Sequence, residues 1–286
     1  MNTYNEIKTE IREKSLIIYL SRQEKMNTFT KNMQEEIVNA LDAAEENDEI
    51  RSIIFTGDGK AFCAGADLSS GGDTFNSSKV VDKSINAIRD SGGLLTLRLF
   101  KSTKPLIGAV NGVAVGIGAT MLLPMDVRIC SNKARFGFVF TKRGIVPEAA
   151  SSWFLPRLIG IENALKLCYS GNVISAEEAK GYKLVSEIVS EDNLIDRALE
   201  IAKEFTAESS QISIALTRQL LWRMLGADDP MEAHKIDSRA VFELGKSGEA
   251  MEGVMSFLEK RPPEFPGKIS KDMPNFYPWW IEKEFE

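Results

Sequence analysis

Short apolar runs rich in β-branched residues alternate with segments of helical periodicity through the first two-thirds of the chain, and this alternation limits the fold more than any other feature. Ser15 to Leu20 (SLIIYL) and Ser52 to Phe55 (SIIF) are bounded by polar residues and read as strands. Between them Met33, Ile37, Leu41 and Ala44 recur at three- and four-residue steps beside an Asp/Glu-rich face, the pattern of an amphipathic helix. Strand, helix, strand in that order predicts a right-handed parallel crossover. A further helix is expected from about residue 80 to residue 100, ahead of a buried strand at Leu106 to Val110. Asp126 to Cys130 supplies another strand, after a Gly-rich segment that looks like a helix start.

Beyond residue 189 the pattern is nearly all helical. Ile195, Leu199, Ala202 and Phe205 form one apolar stripe, and Ile214 to Leu225 and Val254 to Leu258 continue in kind. The chain therefore divides into an α/β body over residues 1–189, a helical region over 190–261 and a tail over 262–286. Five prolines in the tail exclude a regular helix there. Its many aromatics would be costly to leave in water, so it is expected to lie as an extended strap on its own or a neighbouring subunit.

Composition removes several classes of chemistry. A single histidine, His234, rules out multi-histidine metal sites within one chain, and its polar, helix-like surroundings far from any Gly-rich loop mark it as a surface or interface residue. A net charge of −6 without a basic run argues against non-specific nucleic-acid binding. Cys63, Cys130 and Cys168 are widely spaced, odd in number and form no CxxC, which fits a reducing compartment and neither a disulfide framework nor a zinc ribbon. The N-terminus mixes acidic and basic residues and lacks an apolar core, and no apolar stretch reaches the roughly 18 residues of a membrane span. A cytoplasmic protein that neither enters a membrane nor binds a metal is the expectation.

Two small-residue segments are candidates for a binding site: Ala61 to Leu68 (AFCAGADL) and Asn111 to Thr120 (NGVAVGIGAT). Clustered Gly and Ala let a ligand approach the backbone and free N–H groups to face a negative atom, although the same residues also occur where a helix packs tightly on a sheet. Gly116-Ile-Gly118 is not a dinucleotide fingerprint, because Met121 stands where the third glycine belongs. A third segment, Gly144 to Leu158, carries the titratable candidate. Glu148 sits there among apolar and small residues at an expected helix N-terminus. Burial would raise its pKa and a helix dipole would lower it, so the sign of the shift is open at this level, as is a purely helix-favouring role.

The three segments together, in this order and spacing, resemble the crotonase superfamily, the enoyl-CoA hydratase/isomerase family. AFCAGADL resembles its first acyl-CoA signature, NGVAVGIGATMLLPMDVRI its second, and KARFGF followed by GIVPEAASSWFLPRLIG the stretch that forms its acyl pocket. The resemblance covers roughly Ser15 to Arg261. It implies a ββα superhelix with a helical trimerisation region, assembled as a homotrimer or homohexamer, acting on an acyl-CoA thioester and needing no separate cofactor. It further implies that the backbone N–H groups of Ala66 and Ile117 bind the thioester oxygen, with Ala64 and Asp67 of the first motif also near the substrate. Phe138, Phe140 and Trp153 would line a dry acyl pocket, or serve as ordinary core. Arg22, Lys25 and Lys260 fall where the family contacts CoA, although a solvated charge is the ordinary role for each.

Two departures bear on the reaction. Family hydratases place water with two glutamates, and at those positions this chain has Thr120 and Phe140. Glu148 instead falls where the family's single-carboxylate isomerases keep their base, and PEAASSWFLP resembles the corresponding stretch of one Δ3,Δ2-enoyl-CoA isomerase group. The expected activity is a double-bond shift in an enoyl-CoA. Hydration of a trans-2-enoyl-CoA by Glu148 alone and non-catalytic acyl-CoA binding are the alternatives.

Overall fold

The computed structural model describes residues 3–76, 78 and 88–285. The elements follow in order: β1 (Ile7–Arg12), β2 (Ser15–Leu20), α1 (Lys31–Glu46), β3 (Ser52–Gly57), β4 (Ala61–Cys63), α2 (Ser91–Phe100), β5 (Leu106–Val110), β6 (Val113–Val115), α3 (Ile117–Thr120), β7 (Val127–Ser131) and β8 (Arg135–Gly137). Next come α4 (Ser151–Ile159), α5 (Ile161–Ser170), β9 (Val173–Ser175), α6 (Ala176–Gly181), β10 (Glu187–Val189), α7 (Leu194–Thr206), α8 (Gln211–Met224), α9 (Pro230–Lys246), α10 (Glu249–Glu259) and α11 (Ile269–Asp272).

The strands form two sheets, ordered β1-β2-β3-β5-β7-β10 and β4-β6-β8-β9. Each passage along the body therefore places one strand in the first sheet and the next in the second: β3 then β4, β5 then β6, β7 then β8. Repetition of that step winds the chain into a ββα superhelix. In the first sheet β2, β3, β5, β7 and β10 run parallel, and β1 closes the edge antiparallel to β2. Every residue of β3 and β5 is buried, as expected for parallel strands covered on both faces. Met33, Ile37, Leu41 and Ala44 point into the main core from α1. Ala198, Leu199, Ile201 and Ala202 of α7 cover the other face of the sheet, against Ile17, Ile54, Ile107 and Ile129.

Several elements differ from the sequence expectation. The helix expected over residues 80–100 begins at Ser91, because Asp90 adopts an extended backbone and caps it by accepting from the Gly93 N–H; residues 79–87 lie outside the described residues. The helix after the Gly-rich segment is a single turn, Ile117–Thr120, too short to carry a sizeable dipole. The second sheet escaped notice because its strands have three residues each, too few to show a period.

The helical region is anchored through Arg218 of α8. Its guanidinium donates to Asp126 and to the carbonyls of Leu99, Phe100, Ser102 and Pro124, so the α2 C-terminus and the β7 approach share one buried cation. Val254 and Leu258 of α10 and Leu221 of α8, part of the apolar pattern read from sequence, are more than half exposed in the single chain. His234 lies exposed on α9. Among the described residues, no helix is long and apolar enough to cross a membrane.

Candidate active site

The first and second small-residue segments meet because β4 and β6 are parallel neighbours, with Ala61 opposite Val113 and Cys63 opposite Ala114. The residues that follow both strands therefore leave the sheet at the same end, side by side. A Cβ on Gly118 would overlap the Cys63 carbonyl, and one on Gly116 would stand 3.8 Å from the Gly65 Cα. Glycine is therefore required at 118 for space, and favoured at 116 by its φ of 56°. Phe29 holds the first segment from its other side, its N–H donating to the Gly65 carbonyl at 2.8 Å and its carbonyl accepting from the Asp67 N–H at 3.0 Å. Successive N–H groups alternate sides in such a bridge, so the Ala66 N–H faces away from Phe29. Ile117 opens α3, and its N–H has no partner within that helix. Among the described residues neither N–H donates a hydrogen bond.

Glu148 is brought to the same place by the loop ahead of α4. Its carbonyl accepts from the Ser151 N–H at 2.9 Å, and Ala149 and Ala150 turn through the left-handed region at φ 56° and 53° before the helix begins. That conformation costs a non-glycine residue of order 1 kcal/mol. It is held by Asp90, which accepts from the Ala149 N–H at 3.3 Å, and by Thr96, whose hydroxyl donates to the Ala149 carbonyl at 2.9 Å. Gly92 of α2 abuts the carboxylate: a Cβ there would overlap both Glu148 Oε2 and Ile117 Cδ1. The carboxylate, the start of α3 and the start of α2 thus share one small space.

Thr120 Oγ1 donates to Glu148 Oε1 at 2.7 Å. Thr120 therefore holds the carboxylate in place. Burial pushes the Glu148 pKa up to about 7; the Thr120 hydrogen bond opposes this, and the nearby charge of Asp90 adds to it. The opposition between burial and helix dipole left open by the sequence is settled in favour of burial, because α4 starts three residues later and Glu148 lies outside its first turn. A carboxyl near neutrality can both take and return a proton.

The other sequence candidates divide. Phe138 and Phe140 are buried in the main core, and Trp153 is half-buried against Phe100 and Phe154, with Arg157 stacked over its ring. Arg22 and Asp67 face each other at 2.8 Å, and Arg22 also reaches the Thr28 carbonyl and Glu6. The Asp67 carboxyl is held at about 2 mainly by that Arg22 bond. This pair clamps the first segment to the turn at Arg22 to Thr28, a positioning job for both side chains. Ala64 donates its N–H to the Met26 carbonyl at 3.1 Å. Lys25 is exposed, and Lys260 is exposed at the left-handed C-cap of α10. Among the described residues, no three His, Cys, Asp or Glu side chains gather closely enough to hold a metal ion. Sequence reasoning missed Asp90, Gly92 and Thr96; the "DSGG" run was the available signal, a capping residue followed by glycines at a helix start.

Comparison with known proteins identifies the family. A sequence model of the family described as Enoyl-CoA hydratase/isomerase matches residues 10–268. Enoyl-CoA hydratase ACTT3 of Alternaria alternata is 41% identical over 250 residues, covering 87% of this chain and 82% of that protein. The 1,2-epoxyphenylacetyl-CoA isomerase of Escherichia coli is 32% identical over 260 residues, covering 88% and 95%. The crystal structure of enoyl-CoA hydratase from Bacillus anthracis superposes with a TM-score of 0.84 at 31% identity, covering 92% of this chain and all of that one. Two parallel-strand ends with unpaired N–H groups, a neighbouring buried carboxyl and a family match over most of the sequence lead to one statement: the chain belongs to the enoyl-CoA hydratase/isomerase family and is an enzyme of the crotonase type.

Proposed function

We propose that the protein shifts the double bond of an enoyl-CoA from Δ3 to Δ2, with Glu148 as the sole acid/base. The observation that carries this reading is the position of Glu148: a buried carboxyl at a pKa of about 7, held by Thr120 rather than by a second glutamate. In this reading the thioester oxygen accepts from the Ala66 and Ile117 N–H groups. Glu148 removes a proton from C2 of the 3-enoyl-CoA, charge moves onto the thioester oxygen as a dienolate, and Glu148 returns the proton to C4. Each preorganised donor is worth roughly 2.7–4 kcal/mol to such an oxyanion. No water has to be positioned, so loss of the second glutamate is no handicap. Arg22 and Lys25 would lie in the region that contacts CoA, and Lys260 near its phosphates.

The test is turnover of 3-hexenoyl-CoA by the parent and by Glu148→Gln. The variant is expected to keep CoA-ester binding and lose roughly 10²- to 10⁴-fold in kcat. Isomerisation by the variant at the parental rate would remove Glu148 from the chemistry. Hydration is the second reading, favoured by the hydratase name of the 41% identical relative. Crotonyl-CoA separates the two: a hydratase bleaches its conjugated-thioester absorbance, and an isomerase leaves it unchanged.

The exposed apolar side chains of α8 and α10 further support assembly as a homotrimer or homohexamer, in which a second copy covers that face. Fatty-acid metabolism in the cytoplasm is the setting such an activity fits.

A further inference from the structure

A cavity of about 1070 Å³ opens beside the Glu148 loop, between α2, α4, the end of α8, α9 and tail residues Trp279 to Lys283. It is slightly larger than the ~300–1,000 Å³ range of small-molecule sites. Ala150, two residues after Glu148, and Leu94, two residues after Gly92, line it, so the two segments that hold the carboxylate are also its wall. From there Trp153, Phe100 and Arg223 follow one another, Trp153 5.8 Å from the Phe100 ring and the Arg223 guanidinium 5.0 Å beyond. The wall is thus apolar next to the reacting carboxylate and cationic at its far end.

Arg223 is the feature that calls for a ligand. Its guanidinium lies under the Trp280 ring at 3.2 Å, and Nε donates to Gln219 at 2.8 Å. Its Nη2 is buried and makes no hydrogen bond among the described residues. Its ion-pair partner Glu282 stays at 3.5 Å, so a carboxylate that came closer would gain a charge-assisted hydrogen bond. The surroundings already answer a carboxylate: tail residue Glu282 stands 3.1 Å from Lys101 Nζ and 3.5 Å from Arg223 Nη2. Lys235 and Lys283 also line the cavity, so its cations exceed its carboxylates. Trp279 to Lys283 lie beyond residue 268, where the family match ends.

We propose that the cavity receives the far end of the acyl group and selects an ω-carboxylated acyl-CoA, whose terminal carboxylate accepts from Arg223 Nη2. This rests on the acyl-CoA reading and adds to it the class of acyl chain and the residues that choose it. Arg223 and Trp280 set specificity; they are remote from the proton transfer.

The experiment is equilibrium binding of three saturated, unreactive thioesters to the full chain: butyryl-CoA, octanoyl-CoA and suberyl-CoA, the last being octanoyl with a terminal carboxylate. The parent protein is expected to bind suberyl-CoA about tenfold more tightly than octanoyl-CoA, the worth of one charge-assisted hydrogen bond. Arg223→Gln should abolish that preference and leave butyryl-CoA binding unchanged. Glu282→Gln, which removes the competing carboxylate, should increase the preference, a gain that damage to the fold would not produce. Equal or tighter binding of octanoyl-CoA by the parent, or a preference that survives Arg223→Gln, overturns the proposal while leaving the acyl-CoA reading in place. Failure of all three thioesters to bind overturns that reading and this one with it.

Discussion

Glu148 titrates near neutrality because burial outweighs one hydrogen bond, and each neighbour of the carboxyl has a separable effect. Thr120 stabilises the charged form, so Thr120→Val should raise the pKa above about 7. Asp90 raises it by charge, so Asp90→Asn, which keeps the Oδ1 acceptor for Gly93 and Ala149, should lower it. A base must be ionised to act, so kcat/KM for the parent is expected to fall roughly tenfold per pH unit below about pH 7. In Thr120→Val that limb should move to higher pH, and in Asp90→Asn to lower pH. A pH profile of kcat/KM for the three proteins checks this; limbs that coincide would show that Glu148 is not the titrating group. Part of the residue scale was legible in advance: Glu148 stands in the sequence as a carboxylate among small and apolar residues, and the fold buries it. The Thr120–Glu148 bond was not, because it joins residues 28 apart through the fold.

At the scale of elements, the site is made by strand ends and helix starts that need small residues. Gly92 illustrates this. A helix gains roughly 1 kcal/mol from alanine over glycine, yet here the added methyl would displace Glu148 and the Ile117 side chain. Gly92→Ala is therefore expected to lose 10²-fold or more in kcat with thermal stability within about 1 kcal/mol of the parent. Steady-state kinetics beside a melting curve checks it, and full activity would mean that the carboxylate is not confined as described. The longer elements β2, β3, β5 and α1 were readable because five or six buried residues make a clear apolar run and four helical turns a clear period. β4, β6 and β8 were not, since three residues carry none, and yet they bring the two unpaired N–H groups together.

At the scale of the whole molecule, the tail lies across the body. Ser270 reaches Asp48, Phe276 is buried against Ile212 and Leu216, Trp280 covers Arg223, and Glu282 pairs with Lys101. Proline and aromatic content predicted a strap without a regular helix; the fold shows it crossing its own chain and walling a cavity, with one helical turn, α11, in the stretch between Pro266 and Pro274. Truncation after Arg261 removes the buried Phe276 and the indoles around Arg223. It should lower the melting temperature by roughly 5–10 °C. Unchanged melting and sedimentation would show that the tail contributes neither to stability nor to assembly.

The central claim is that one carboxyl both removes and returns the proton in a dry site. Its most direct measurement is a single turnover of 3-hexenoyl-CoA deuterated at C2, with the product analysed by mass spectrometry and NMR. The account predicts a 2-enoyl-CoA of unchanged oxygen content, with part of the deuterium lifted from C2 now on C4, in the parent and not in Glu148→Gln. A product that has gained a molecule of water, or a C4 that carries no deuterium at all, would contradict it.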